Sequence, residues 1–216
     1  MAPDDRSDLR FVAKELIVHF GRKFDSSVIP NLEINDSVIE RVNEFKFLGV
    51  ILRADLSWCS HVKYIIAKAS KRIFVISSLA RMQTSVADLL CVYCSIVRSV
   101  LEYASPAWHC GLTKTQSCEI ERVQKRCLRI IFPLLSYRSA LLLSGLERLS
   151  TRREKAARDL FVQIKHSTHP LNSLLTVKNK PTCGAVTRDS YPYVVPRPKT
   201  NRMSNSLIIY GLLRKW

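Results

Sequence analysis

The spacing of apolar residues along this chain changes once, near residue 56. Before that point they come in short runs separated by turn-forming residues, and after it they recur every three to four positions. Glu15-Leu16-Ile17-Val18-His19-Phe20 reads as a strand stopped by Gly21. Leu32-Glu33-Ile34 and Val38-Ile39-Glu40-Arg41-Val42 flank the turn pair Asn35-Asp36, which predicts a hairpin. Residues 45–52 are almost continuously apolar and predict a strand buried in the same small antiparallel sheet, while the polar residues 1–10 predict a disordered start.

At about 100° per residue, Val62, Ile65, Ile66, Ala69, Ile73, Ile76 and Ala80 gather on one side of a helix, and Lys63, Lys68, Lys71 and Arg72 are read as a basic face opposite. Thr84 or Ser85 caps a second helix, with Ser85 and Asp88 in capping-box spacing, that runs to about residue 104 before Pro106. Apolar residues surround most of its circumference, so it is expected at the centre of a bundle. A third helix over about 116–131 turns Ile120, Val123, Cys127, Ile130 and Ile131 inward and Arg122, Lys125 and Arg129 outward, and Pro133 ends it. Short helical pieces are expected over 137–143 and 145–149. Another helix follows from Thr151, with Glu154 in a second capping-box spacing, to about residue 165.

Beyond His169-Pro170 periodicity is lost. Five of the nine prolines lie after Gly145, and 11 Lys and Arg residues from Lys155 onward face only Asp159 and Asp189. The fold class that follows is α+β: strands over 11–55, a helical bundle over 56–167 and an extended basic segment over 168–216.

Composition sharpens this picture through charge. The 216 residues carry a formal net charge of +16, with 7 Lys and Arg against 9 Asp and Glu in residues 1–50 and 27 against 9 thereafter. Such an excess favours a polyanionic partner. The longest apolar segment, 86–101, is shorter than a membrane span and contains Asp88 and Arg98, so no membrane partner is expected. Asp4, Asp5 and Asp8 stand where a signal peptide would be basic and then apolar, which predicts a nuclear or cytoplasmic setting. Seven cysteines, an odd number scattered over a long chain, predict reduced thiols.

Five segments in order carry a resemblance. They are Phe45-Lys46-Phe47-Leu48-Gly49-Val50, Asp55-Leu56-Ser57-Trp58, Ala67-Lys68-Ala69-Ser70-Lys71-Arg72, the run Ser-Val-Leu-Glu-Tyr-Ala-Ser-Pro-Ala-Trp over 99–108, and Ile-Glu-Arg-Val-Gln-Lys-Arg-Cys-Leu-Arg-Ile-Ile over 120–131. Together they resemble the end of the palm and the thumb of reverse transcriptases from non-LTR (LINE-type, jockey/CR1-like) retrotransposons. Val194-Val195-Pro196-Arg197, Lys199-Thr200-Asn201-Arg202 and Asn205-Ser206 are similar to the closing segment of such polyproteins.

The resemblance implies that Phe47, Leu48 and Gly49 form a primer-grip-like hairpin. It also implies that the basic helix faces, Lys63, Lys68, Lys71 and Arg72 with Arg122, Lys125 and Arg129, follow the phosphates of RNA or DNA without reading bases. A buried strand relieved by Gly49 and plain solvated helix faces are the competing readings. Such polymerases hold two metal ions on palm carboxylates. The resemblance implies that those carboxylates sit at the tip of a buried hairpin well upstream of Phe45, and the paired aspartates here, Asp4-Asp5, lie too near the start to occupy such a hairpin, so no catalytic residue, metal or cofactor is expected. The chain reads as a catalytically incomplete C-terminal part, from a truncated element or a gene beginning inside one. Lys14 stands where the family has a lysine approaching the nucleotide, although a strand-edge lysine is the plainer reading. Exposed apolar residues on the palm-derived strands predict self-association.

Two alternatives compete with this reading. One is a non-enzymatic nucleic-acid-binding protein in host use. The other follows from the similarity of 40–77 to segments labelled as an N-terminal domain of alkB-type repair or tRNA-modifying proteins; no His-x-Asp occurs at any of the five histidines, which counts against an oxygenase. Cys91 and Cys94 form a C-x-x-C within a strongly periodic helix and read as small packing residues, not zinc ligands.

Overall fold

A computed structural model describes residues 16–17, 33–34, 37–177 and 192–216. Asp4-Asp5, Lys14, the Asn35-Asp36 turn and residues 178–191 lie outside the described residues. The class is α+β, with short strands followed by helices. The polypeptide divides into two compact units, Met1–Ser57 and Trp58–Trp216.

In the first unit the strands pair two by two. β1 (Leu16–Ile17) lies parallel to β4 (Glu40–Arg41), where an antiparallel neighbour was expected, and β2 (Glu33–Ile34) pairs antiparallel with β3 (Ser37–Val38). Residues 45–52 are not one buried strand. They fold back on themselves as a hairpin of β5 (Glu44–Phe47) and β6 (Val50–Arg53), with Phe47 opposite Val50 and Phe45 opposite Leu52. Leu48 and Gly49 make the two-residue loop with φ of 45° and 84°, the positive pair that a type I′ hairpin turn demands. Phe47 and Leu48 are 55% and 75% exposed. A turn without a polar residue is invisible to an apolar count, and Gly49 was its one local signal.

The second unit starts with α1 (Cys59–Arg81), whose His61, Val62, Ile65, Ala69, Ile73 and Ile76 are buried. The expected central helix begins at α2 (Val86–Val92), capped by the Ser85 hydroxyl on the Asp88 amide. It continues without a break through a π-helical segment, Tyr93–Arg98, into α3 (Ser99–Glu102). Leu89, Tyr93, Val97 and Leu101, four residues apart, are its buried stripe. In a regular α-helix each four-residue step drifts by about 40°, and the wider i→i+5 turn takes up part of that drift. The Ser95 hydroxyl donates to the carbonyls of Cys91 and Val92, and that of Ser99 to the carbonyl of Ser95, giving partners to carbonyls along the wider turn.

A packed corner explains the Ser-Val-Leu-Glu-Tyr-Ala-Ser-Pro-Ala-Trp run. Ala104 takes φ 49°, reversing the chain into α4 (Ser105–Trp108) with Pro106 in its first turn. Trp108 is fully buried, and its indole donates to the Tyr103 carbonyl at 3.0 Å. Glu102 accepts two bonds from Arg152, at 2.7 and 3.1 Å. After a 3₁₀ turn at His109–Gly111, α5 (Lys114–Ile131) opens on a reciprocal capping box between Thr113 and Gln116. The first turns of α1 and α5 are tied by the Gln116 amide to the Cys59 sulfur, so the two helices pack side by side in the same direction.

Downstream, α6 (Tyr137–Ser144) ends at Gly145 in the left-handed conformation, with the Leu146 amide on the Leu141 carbonyl. No helix forms over 145–148, contrary to expectation, because that glycine closes α6. α7 (Leu149–Ile164) starts two residues before Thr151, which therefore lies inside the helix and cannot cap it with Glu154. The end of the chain is not a loose tail. Residues 192–200 are irregular, but α8 (Asn201–Ser204), capped by Thr200, and α9 (Leu207–Leu213) follow. Leu212 and Leu175 are buried with Phe161 and Ile164 of α7 in a separate small core, against which Leu207, Ile208 and Trp216 pack. Among the described residues no helix is long and apolar enough to cross a membrane.

Candidate nucleic-acid interface

Helix α5 separates its residues sharply. Ile120, Val123, Gln124, Cys127, Leu128 and Ile131 are buried, whereas Arg122, Lys125, Arg126 and Arg129 are exposed. Offsets of three, four and seven residues place the four cations within roughly 100° of the helix surface, along about 10 Å of its length. Among the described residues none of the four is paired with a carboxylate. They wall a groove of about 470 Å³ between α5 and α6, floored by Leu128, Leu135, Tyr137 and Ala140.

A second groove, of about 430 Å³, runs between α1 and α5, where Lys63 meets Arg122 and Arg126 over Ile66, Ala67, Ser70, Ile73 and Val123. Glu119 is the acid on that rim. The structure thus joins Lys63, Arg122, Lys125 and Arg129 into one surface and adds Arg126. Arg126 was legible: it follows Arg122 by four residues, one helical turn on the same face.

The basic face expected on α1 does not hold together. Lys63 and Arg72 are nine residues apart, which puts them about 180° apart around the helix. Arg72, half-buried, turns toward the π-helical segment and donates to the Ile96 carbonyl at 2.5 Å. It is a structural bond, not a free phosphate ligand. Lys68 is exposed with its ammonium 5.9 Å from the ring centre of Tyr64 on its own helix, and Lys71 is exposed. Phe47, Leu48 and Gly49 belong to the other unit, where they form the tip of the β5–β6 hairpin.

A buried polar network holds α5 in place beneath its cations. The Tyr93 hydroxyl donates to Gln124 Oε1 at 2.6 Å, and Gln124 Nε2 reaches the Tyr137 hydroxyl and the Glu147 carbonyl, both at 3.0 Å. Tyr137 in turn donates to Glu121. Burial holds the Tyr93 phenol well above its ordinary range, and burial together with the Glu121 bond does the same for Tyr137, so both remain neutral donors. Burial also pushes the Cys127 thiol up to about 12 and the Cys110 thiol up to about 11, which makes both poor nucleophiles and poor metal ligands at neutral pH.

Cys91 is exposed at the end of α2, and Cys94, part-buried in the π-helical segment, has its thiol raised by burial. The exposed cations along these two grooves suit the phosphate oxygens of a nucleic-acid backbone. Comparison of the chain with protein-family models, curated proteins and solved structures finds no significant match.

Proposed function

We propose that the Trp58–Trp216 unit is a sequence-tolerant nucleic-acid-binding module, the thumb-like part of a non-LTR-type reverse transcriptase. The chain itself, on this reading, carries no polymerase chemistry and works in the nucleus or cytoplasm. The observation that carries the proposal is the α5 surface: four exposed cations on one face, without carboxylate partners among the described residues, joined by Lys63 from α1. Free cations neutralise phosphates and release counterions, whereas cations tied up in salt bridges would have to break those bonds first. Lysine and arginine on phosphate carry no base information, which makes the binding tolerant of sequence. The hairpin with Phe47, Leu48 and Gly49 at its tip, followed directly by helices, supports the resemblance on which the thumb assignment rests.

Fluorescence anisotropy with labelled DNA duplexes and RNA–DNA hybrids of unrelated sequence tests the proposal. Affinities within a few-fold of one another at one salt concentration, falling steeply as salt rises, are expected. A preference of 100-fold or so for one sequence would point to base readout instead, at about 1–3 kcal/mol per specific contact. Primer extension with an RNA template and Mg²⁺ or Mn²⁺ is expected to give no product; template-dependent synthesis would overturn the non-enzymatic part.

A further inference from the structure

Helix α1 carries a second line of apolar and small residues, offset by one position from its buried stripe. Ile66, Ala67 and Ser70 stand at helical spacing beside Ile73, and with Val123 of α5 they floor the groove of about 430 Å³ between the two helices. Ala67 is exposed and Ile66 and Ser70 are half-buried, so the floor is open to solvent. Because α1 and α5 lie side by side in the same direction, the channel follows both. From Lys63 to Ile73 it extends about 15 Å, roughly three turns of a helix.

Charge on the rim is uneven. Arg122 and Arg126 succeed one another by a single turn on the α5 edge, Lys63 stands on the α1 edge, and Glu119 is the acid among them. The three cations have no carboxylate partner among the described residues. Phosphate oxygens need the rim alone, and a nucleic-acid backbone seated there would leave the aliphatic floor in water. A helix laid along the channel uses floor and rim together.

We propose that this groove is a docking site for an amphipathic helix of a partner protein, about three turns long, with an apolar stripe on the floor and acidic residues one turn apart facing Arg122 and Arg126. The small side chains of Ala67 and Ser70 leave room for larger apolar ones from the partner. Their burial supplies the affinity. The exposed ion pairs contribute little singly and fix orientation and partner choice. Acids at i and i+4 match the Arg122–Arg126 spacing, and Glu119 calls for a neutral or basic residue one turn beyond that pair. The site does not depend on the nucleic-acid reading.

Fluorescence anisotropy of the full chain with a labelled designed peptide of about 18 residues, long enough to form a helix, tests it. The peptide carries leucines at i, i+4 and i+7 with glutamates on one flank, and its control has the same composition shuffled to break the stripe. The ordered peptide is expected to bind about tenfold tighter or more, because the shuffled one buries fewer leucines. Ala67→Arg fills the floor while adding a cation, and arginine on an exposed helix position preserves the fold. Affinity of this variant for the ordered peptide is expected to fall about tenfold despite the added charge. Methyl NMR spectra of the unaltered protein, which need no variant, are expected to shift at Ile66, Ile73 and Val123. Equal affinity for the two peptides, or unchanged or tighter binding by Ala67→Arg, would mean charge attraction only. Shifts confined to Leu128 and Leu135 would place the peptide in the α5–α6 groove. A doubled mass in light scattering without peptide, abolished by Ala67→Arg, would assign the groove to a second copy of this chain. Each of these results overturns the proposal.

Discussion

His61 shows how burial turns one residue into a pH sensor of stability. It is fully buried between aromatic rings, with Trp108 at 5.3 Å and Trp58 at 6.2 Å, and desolvation lowers its pKa from 6.5 to about 4. The folded state refuses a proton that the unfolded state accepts, so the neutral ring's contribution is complete above pH 6.5 and is lost as pH falls toward 4. The full loss is on the order of 3 kcal/mol. Urea midpoints at pH 7 and pH 5 are expected to differ accordingly. His61→Asn is expected to remove about half of the dependence, because His109 is depressed in the same sense. An unchanged pH slope in that variant would place the sensor elsewhere.

Residue-level reading of the sequence recovered the buried stripe of α1 almost completely but missed Gln124 and Arg153. Polar residues at core positions look like surface ones until their partners, Tyr93, Tyr137 and Ser117, arrive from other helices.

Among the elements, the split of the α1 cations gives the clearest contrast. Arg72 bonds a carbonyl of the π-helical segment, while Lys68 and Lys71 are exposed to solvent. Arg72→Met is expected to cost about 1–2 kcal/mol, and Lys68→Met and Lys71→Met close to nothing, all read from chemical unfolding. Equal effects at the three positions would mean that the Ile96 bond does not hold the segment. The helices themselves were legible because the 3.6-residue period, the cap at Ser85 and the stop at Pro133 are local. The π-helical turn, the hairpin loop at Leu48-Gly49 and the start of α7 were not, since each is decided by packing or by a backbone conformation that leaves little mark on composition.

Over the whole molecule, the largest departure from the sequence reading is the docked C-terminus. Proline and basic residues obscure the apolar set Leu207, Ile208 and Leu212, which has no partner until α7 offers Phe161 and Ile164. Gly211 permits the approach: a Cβ there would stand 2.5 Å from the Phe161 ring. Gly211→Leu is therefore expected to release α9 and expose the small core, seen as dye binding and as early hydrogen exchange in α7. Unchanged protection of α7 would show that α9 contributes little to holding it.

Binding by the α5 surface is the central claim, and the salt dependence of affinity for Arg122→Gln/Arg126→Gln measures it most directly. Both side chains are exposed and free of carboxylate partners among the described residues, so the fold is expected to persist by circular dichroism. If each neutralises one phosphate of duplex DNA, the slope of log K against log salt becomes shallower by about 1.8, and affinity falls alike for unrelated sequences. A folded variant with unchanged affinity and slope would contradict the assignment of this face.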